Sequence, residues 1–214
     1  MSLVRWTALP VVAGILISGQ GLRADETLQG RQTRQDSQAR AAAASDVSVR
    51  LLDLDNHPVD PFQASADASA IVFVFLSVDC PVSNRYAPDV QKLHQTFGAK
   101  GVEFWLIYPN PHDSAAAIRS HLKTFGYAAH ALRDPKHQLA NLAKATITPE
   151  AAVYHKGALV YHGRIDDRYQ SIGVERQVPT RYDLRDTLTA VLAGTPVPAS
   201  SQPAVGCYIA DFVE

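Results

Sequence analysis

Two cysteines, Cys80 and Cys207, are all that 214 residues contain. That scarcity excludes the dense disulfide framework that staples small secreted domains. Neither charge is in surplus: 20 basic against 21 acidic residues leave a net charge of −1, so nothing points to nucleic acid or to an anionic membrane surface. The eight histidines, at 57, 94, 112, 121, 130, 137, 155 and 162, never fall in an HxxxH or HExxH spacing. Solvated or core-edge positions are expected of them. Gly-rich phosphate loops, a Ser-His-Asp signal and internal repeats are also missing.

The apolar run Ala8 to Ile17 is too short to span a bilayer. With Arg5 before it and Gly19, Gly21 and Leu22-Arg23-Ala24 after it, it reads as a secretory signal peptide over residues 1–24. Residues 25–45 are polar, rich in Gln, Arg and Ala, and lack apolar periodicity, which predicts a flexible linker. Residues 46–214 are left for one domain with a sizeable core. The expected protein is exported, periplasmic or extracellular, and free of the membrane once the leader is cleaved. In an oxidising compartment one cysteine pair is compatible with a disulfide, a cycling dithiol or two free thiols.

What is present is organised around Ile71 to Pro88, IVFVFLSVDCPVSNRYAP. Its nearly continuous apolar start predicts a strand, Ile71–Val78, buried on both faces. A helix from Ser83 to Phe97 follows, with Tyr86, Val90, Leu93 and Phe97 at helical spacing. Cys80 thus falls where a strand hands over to a helix, and helix N-terminal amides favour thiolate over thiol.

The remaining elements follow the same logic. Val47–Leu52 and the turn Asp55-Asn56-His57-Pro58 predict an N-terminal hairpin. Val102–Tyr108 is a second buried strand. Asp113 is the expected cap of a helix burying Ile118, Leu122 and Phe125 and ending at Gly126. His130–Leu132 is a short strand, and Leu139 with Leu142 marks a short helix. Strands Ala151–Tyr154 and Leu159–His162 flank the turn His155-Lys156-Gly157. Thr180 and Asp183 suggest a capping box for a last helix burying Leu184, Leu188, Val191 and Leu192 and stopping at Gly194. The order β-β-α-β-α-β-α-β-β-α is an α/β fold with an antiparallel hairpin near its end.

Cys80-Pro81-Val82-Ser83 resembles the redox loop of thioredoxin-fold proteins in a CxxS form. Pro88, eight residues after the cysteine, matches the proline that kinks their first active-site helix. Ser77 matches the Thr/Ser that hydrogen-bonds the peroxidatic cysteine of peroxiredoxins, although the proline that opens that motif is replaced by Phe73. The closest resemblance is to the peroxiredoxin-like redoxins related to the alkyl hydroperoxide reductase/thiol-specific antioxidant family. It runs from Val47 to Ile209 and includes Gly163-Arg164-Ile165-Asp166-Asp167 and Val205-Gly206-Cys207-Tyr208-Ile209.

The resemblance implies a thioredoxin-like fold: a central mixed sheet flanked by helices, with an N-terminal hairpin and a C-terminal helix plus tail. It implies a thiol-dependent oxidoreductase with antioxidant activity, acting on a peroxide or a protein disulfide. An external thiol donor, a thioredoxin-like protein or a small thiol, would supply electrons, with no bound cofactor. Cys80 is the expected nucleophile and Ser77 the residue that holds its thiolate. Arg164 is the favoured nearby cation among Arg85, Arg164 and Arg168. Thr148-Pro149 resembles the cis-proline loop facing the cysteine, where backbone pairs with an extended peptide, and Pro81 shares that substrate-binding surface. Because Ser83 replaces a second loop cysteine, a partner thiol must come from Cys207. Cys207 resolves an oxidised Cys80 or forms a static disulfide with it, and sequence leaves the two open. The alternative class is a non-catalytic or copper-handling binding module using Cys80, Cys207 and His162. The copper-assembly pattern CxxxC fails here, because Asn84 stands where its second cysteine belongs. Asp166-Asp167 reads as a surface turn or cap rather than an acid/base pair.

Overall fold

The computed structural model describes residues 47–198 and 203–210. The expected leader over residues 1–24 and linker over 25–45 lie outside the described residues. Two apolar runs make the centre of the sheet. Ala70–Phe75 forms β3 and Val102–Tyr108 forms β4, paired in parallel from Ala70 with Val102 to Phe75 with Ile107. Successive side chains of a strand point to opposite faces. Val72, Val74, Phe104 and Leu106 therefore enter one core cluster, while Ile71, Phe73, Phe75, Trp105 and Ile107 enter the other.

Around this pair stand β1 (Leu51–Leu52), β2 (Pro58–Val59), β5 (His130–Arg133), β7 (Glu150–His155) and β8 (Ala158–Gly163). The seven strands lie in the order β2-β1-β5-β4-β3-β7-β8. Strands β3, β4 and β5 are parallel, and antiparallel hairpins close both edges. The β7–β8 turn has Lys156 at φ 50° and Gly157 at φ 75°, the left-handed pair that matches strand twist.

Among the described residues six helices cover the sheet: α1 (Pro61–Ala64), α2 (Pro81–Arg85), α3 (Ala87–Gly98), α4 (Ala115–Phe125), α5 (Gln138–Ala143) and α6 (Asp183–Ala193). Val90 and Phe97 of α3, Ile118 of α4, and Leu184, Leu188 and Val191 of α6 pack into the first cluster. Phe62 of α1 and Leu139, Ala140 and Ala143 of α5 pack into the second. The result is the expected thioredoxin-like α/β architecture, a mixed sheet with helices on both faces.

Several expected boundaries differ. Strand β3 ends at Phe75 rather than Val78, which leaves Ser77 to Cys80 as a turn. The single helix expected over Ser83–Phe97 is two helices meeting at Tyr86. Pro88, which has no N–H, sits in the first turn of α3, where none is required. Ser114, not Asp113, caps α4, its hydroxyl accepting the Ala117 N–H at 3.2 Å. The capping box at Thr180 does not form: the Thr180 hydroxyl donates to Asp167 and α6 begins at Asp183. Leu142 is 40% exposed, so Leu139 alone of that pair is core. Two small hairpins were not anticipated. One joins β9 (Tyr169–Ser171) to β10 (Val174–Glu175), and the other joins β6 (Ile147–Thr148) to β11 (Cys207–Tyr208).

Phe73 has no exposed surface and meets Phe62 and Tyr154 edge-to-face, with ring centroids 5.3 and 5.7 Å away. Phe73→Ala is expected to destabilise the fold by about 3–5 kcal/mol, read as a lower midpoint in urea unfolding with an unchanged slope.

Candidate active site

Cys80 ends the turn after β3 and is the N-cap of α2, with extended backbone at φ −82° and ψ 110°. Pro81 follows in the first turn, where its fixed φ suits a helix start. The geometry folds the thiol back over the helix, so that Sγ accepts the Ser83 N–H at 3.5 Å. Across the gap, Sγ lies 3.1 Å from the Thr148 carbonyl oxygen. Thr148–Pro149 is cis, as the resemblance implies. Cys80 is 2% exposed.

The tail completes the enclosure. Strand β11 pairs antiparallel with β6, Cys207 opposite Thr148 and Tyr208 opposite Ile147. The Thr148 hydroxyl donates to the Cys207 carbonyl at 3.3 Å, and the Ile209 N–H donates to Thr146 O at 3.0 Å. This register sets Cys207 beside Cys80, close enough for each thiol to bear on the other's ionisation, and both are free.

Burial by itself raises a thiol pKa, and at Cys80 it is the largest single effect. Hydrogen bonds from the Cys207 thiol and the Ser83 N–H, with the Ser83 hydroxyl dipole, outweigh it together and leave Cys80 below its ordinary value. The Ser83 hydroxyl is buried and makes no hydrogen bond of ordinary geometry. Cys207 moves the other way. Burial, its bond to Cys80 and the charge there push it up to about 12. The two shifts are opposed, so Cys80 is the more readily ionised thiol of the pair and Cys207 the less.

The remaining expected residues are placed differently. Ser77 acts on the Asp113 carboxylate; it does not supply the thiolate hydrogen bond, and Ser83 reaches the sulfur in its stead. Arg164 is not the cation beside Cys80: its Nε lies 2.8 Å from Asp183 at the start of α6, and its carbonyl accepts the Tyr161 hydroxyl. Arg85 and Arg168 pair with Glu175 and Asp89. No arginine is among the main causes of the Cys80 shift. Helix geometry and neutral donors do that work. His162 meets Glu150 at 3.5 Å, and among the described residues no three His, Cys, Asp or Glu side chains converge.

Asp166 and Asp167 separate as a pair. Asp166 accepts the Tyr86 hydroxyl at 2.5 Å, with its carboxyl pushed up chiefly by burial. Asp167 accepts from Thr180 and Arg181, which holds its carboxyl at about 2 despite burial.

A polar chain that sequence reasoning missed, buried at Tyr108 and His121 and half-buried at Asn84, braces the turn. The Tyr108 hydroxyl meets His121 Nδ1 at 2.8 Å, and His121 Nε2 meets Asn84 Oδ1 at 2.7 Å. Asn84 Nδ2 donates to the Val78 carbonyl at 3.2 Å, while the Val78 N–H donates to Asp113. Burial lowers the His121 pKa, and a neutral ring can accept from tyrosine while donating to Asn84. His121 lies three residues after the inward Ile118, so helical spacing carried a signal for it.

A model of the AhpC/TSA family matches residues 41–165. Similar solved structures include a hypothetical protein of Sinorhizobium meliloti at 26% identity and TM-score 0.67, covering 76% of this chain and 90% of that one. An uncharacterised conserved protein of Geobacillus kaustophilus is similar at 27% identity and TM-score 0.66, covering 76% and 88%. No curated protein matches.

Cys207→Ala removes the strongest donor to Cys80 and is expected to raise the pH at which the Cys80 thiolate absorbance at 240 nm appears. For Asp167, a carboxyl lower in the folded than in the unfolded chain stabilises above the unfolded value of about 3.9, and that stability is lost as pH falls toward about 2. Thermal melts of Asp167→Asn should therefore lie below wild type at pH 6 and converge with it near pH 2.

Proposed function

Because the chain belongs to the AhpC/TSA family, redoxins of the thioredoxin-like superfamily, we propose that it is an exported, peroxiredoxin-like thiol oxidoreductase in which Cys80 attacks and Cys207 resolves. The observation that carries this reading is the register that sets Cys207 opposite Thr148 and so beside Cys80, with Cys80 shifted toward thiolate and Cys207 toward thiol. A nucleophile needs the first shift. A resolving thiol needs proximity and must not compete for the oxidant.

The chemistry follows from that asymmetry. The Cys80 thiolate attacks the terminal oxygen of a peroxide, the O–O bond breaks, and the leaving oxygen takes a proton and departs as alcohol or water. Cys80 is then a sulfenic acid with no negative charge. One of the causes that raised Cys207 disappears with that charge, and Cys207 can attack the Cys80 sulfur. The S–O bond breaks, water leaves, and a Cys80–Cys207 disulfide forms. An external dithiol restores both thiols by exchange and is itself oxidised to a disulfide. On a low-mass disulfide, Cys80 displaces one thiol and Cys207 displaces the other.

Export rests on residues 1–24, where a basic residue, an apolar run and small residues precede a cleavage-like Leu22-Arg23-Ala24.

Intact mass and free-thiol count of the reduced protein test the reaction. With one equivalent of hydrogen peroxide, the chain should lose two thiols and two mass units within seconds, and Cys207→Ser should stop at Cys80 sulfenic acid. Two thiols that persist in the wild-type chain after peroxide and after a low-mass disulfide would overturn the reading.

A further inference from the structure

Strand β6 is two residues long, and among the described residues its ladder partner is β11. Without that partner, the backbone groups of Thr146 and Thr148 would stand open beside Cys80. An open edge is a template for any extended chain that reaches it. The protein's own tail takes that place. Tyr208 is 84% exposed, so its side chain adds little, and the seat depends on the backbone ladder with Cys207 and Ile209.

Gly206 is what lets the tail approach. A Cβ at this position would lie 2.0 Å from the Thr148 carbonyl oxygen, 2.8 Å from its carbon and 3.1 Å from Ile147 Cγ2. Two of those neighbours are backbone and cannot rotate aside, so any side chain here forces the strands apart. The oxygen that Gly206 crowds is the one that lies 3.1 Å from the Cys80 sulfur. Seating the tail and enclosing the nucleophile are therefore one contact.

We propose that Gly206 is a specificity-determining residue. It seats the C-terminal strand on the β6 edge as an intramolecular substitute for an extended substrate, so that Cys80 serves peroxides and low-mass disulfides and is closed to disulfides held within protein chains. This rests on the thiol chemistry proposed above for Cys80. A disulfide embedded in a protein reaches a sulfur that is 2% exposed only by laying backbone along β6, whereas a peroxide needs no edge. Once the tail is off the edge, the Cys80 thiolate attacks one sulfur of the protein disulfide and the other leaves as a thiol. Exchange with dithiothreitol then releases the second thiol, and dithiothreitol ends as its cyclic disulfide.

The test compares full-length wild type, Gly206→Ala and Ile209→Pro, the last lacking the N–H that donates to Thr146 O. Each is assayed for insulin disulfide reduction with dithiothreitol, for Cys207 alkylation by iodoacetamide and for peroxide-driven thiol loss, with circular dichroism to confirm folding. Wild type should reduce insulin no faster than dithiothreitol alone. At least one folded variant should alkylate faster at Cys207 and reduce insulin faster by about tenfold or more. Wild type matching the variants on insulin overturns the proposal. So does a folded variant with a freed Cys207 that stays inactive on insulin, or unchanged Cys207 alkylation in both. Peroxide-driven thiol loss by wild type reads the chemistry of Cys80 separately, so its failure is distinguishable from failure of the edge to open.

Discussion

The Thr148 carbonyl is the point on which the site depends. It lies 3.1 Å from the Cys80 sulfur, it belongs to the residue opposite Cys207 in the ladder, and it marks how closely Gly206 can pass. A backbone oxygen is an obligatory acceptor. With the edge paired and the thiol beside it, that oxygen is not left as an orphan in a buried site. The strand-to-helix turn supplies the nucleophile, and the other side of the site is built from the Thr148 backbone and the tail that carries Cys207.

The turn itself is held from beneath. Asn84 grips the Val78 carbonyl and Asp113 grips its N–H, while His121 and Tyr108 extend the chain of contacts into the first core cluster. Tyr108, Asp113 and His121 are buried, and each finds a partner whose loss would leave a polar atom stranded at a cost of about 1–3 kcal/mol. The network ties the position of Cys80 to β4 and α4, the most regular parts of the molecule. A short loop is thereby given the rigidity of the sheet.

Much of this was legible because the strongest signals are local. The apolar runs at Ile71 and Val102 became β3 and β4, and Gly126 and Gly194 ended helices with left-handed φ of 68° and 66°. Cys80 was identifiable from its place between strand and helix. What escaped depended on contacts between distant segments. Ser77 faces Asp113 because β3 stops three residues early, a boundary that periodicity cannot define when apolar Leu76 and Val78 flank the one polar residue. Arg164 is drawn to Asp183 and Thr180 to Asp167, pairings that require the last helix to be in place. The tail was expected to fold back, but its register on β6 follows from a glycine's missing side chain, which has no periodic signature.

That register has a thermodynamic side. Holding Cys207 against Cys80 across 127 intervening steps of chain gives the second thiol a high effective concentration at the first. By a closed cycle, whatever free energy the folded chain adds to disulfide formation must reappear as extra stability of the oxidised protein over the reduced one, and closing so long a loop is worth about 4–5 kcal/mol in the chain-entropy account. The backbone ladder between two residues of β6 and two of β11 therefore acts as a transducer, converting the redox potential of the surroundings into the depth of the folding well.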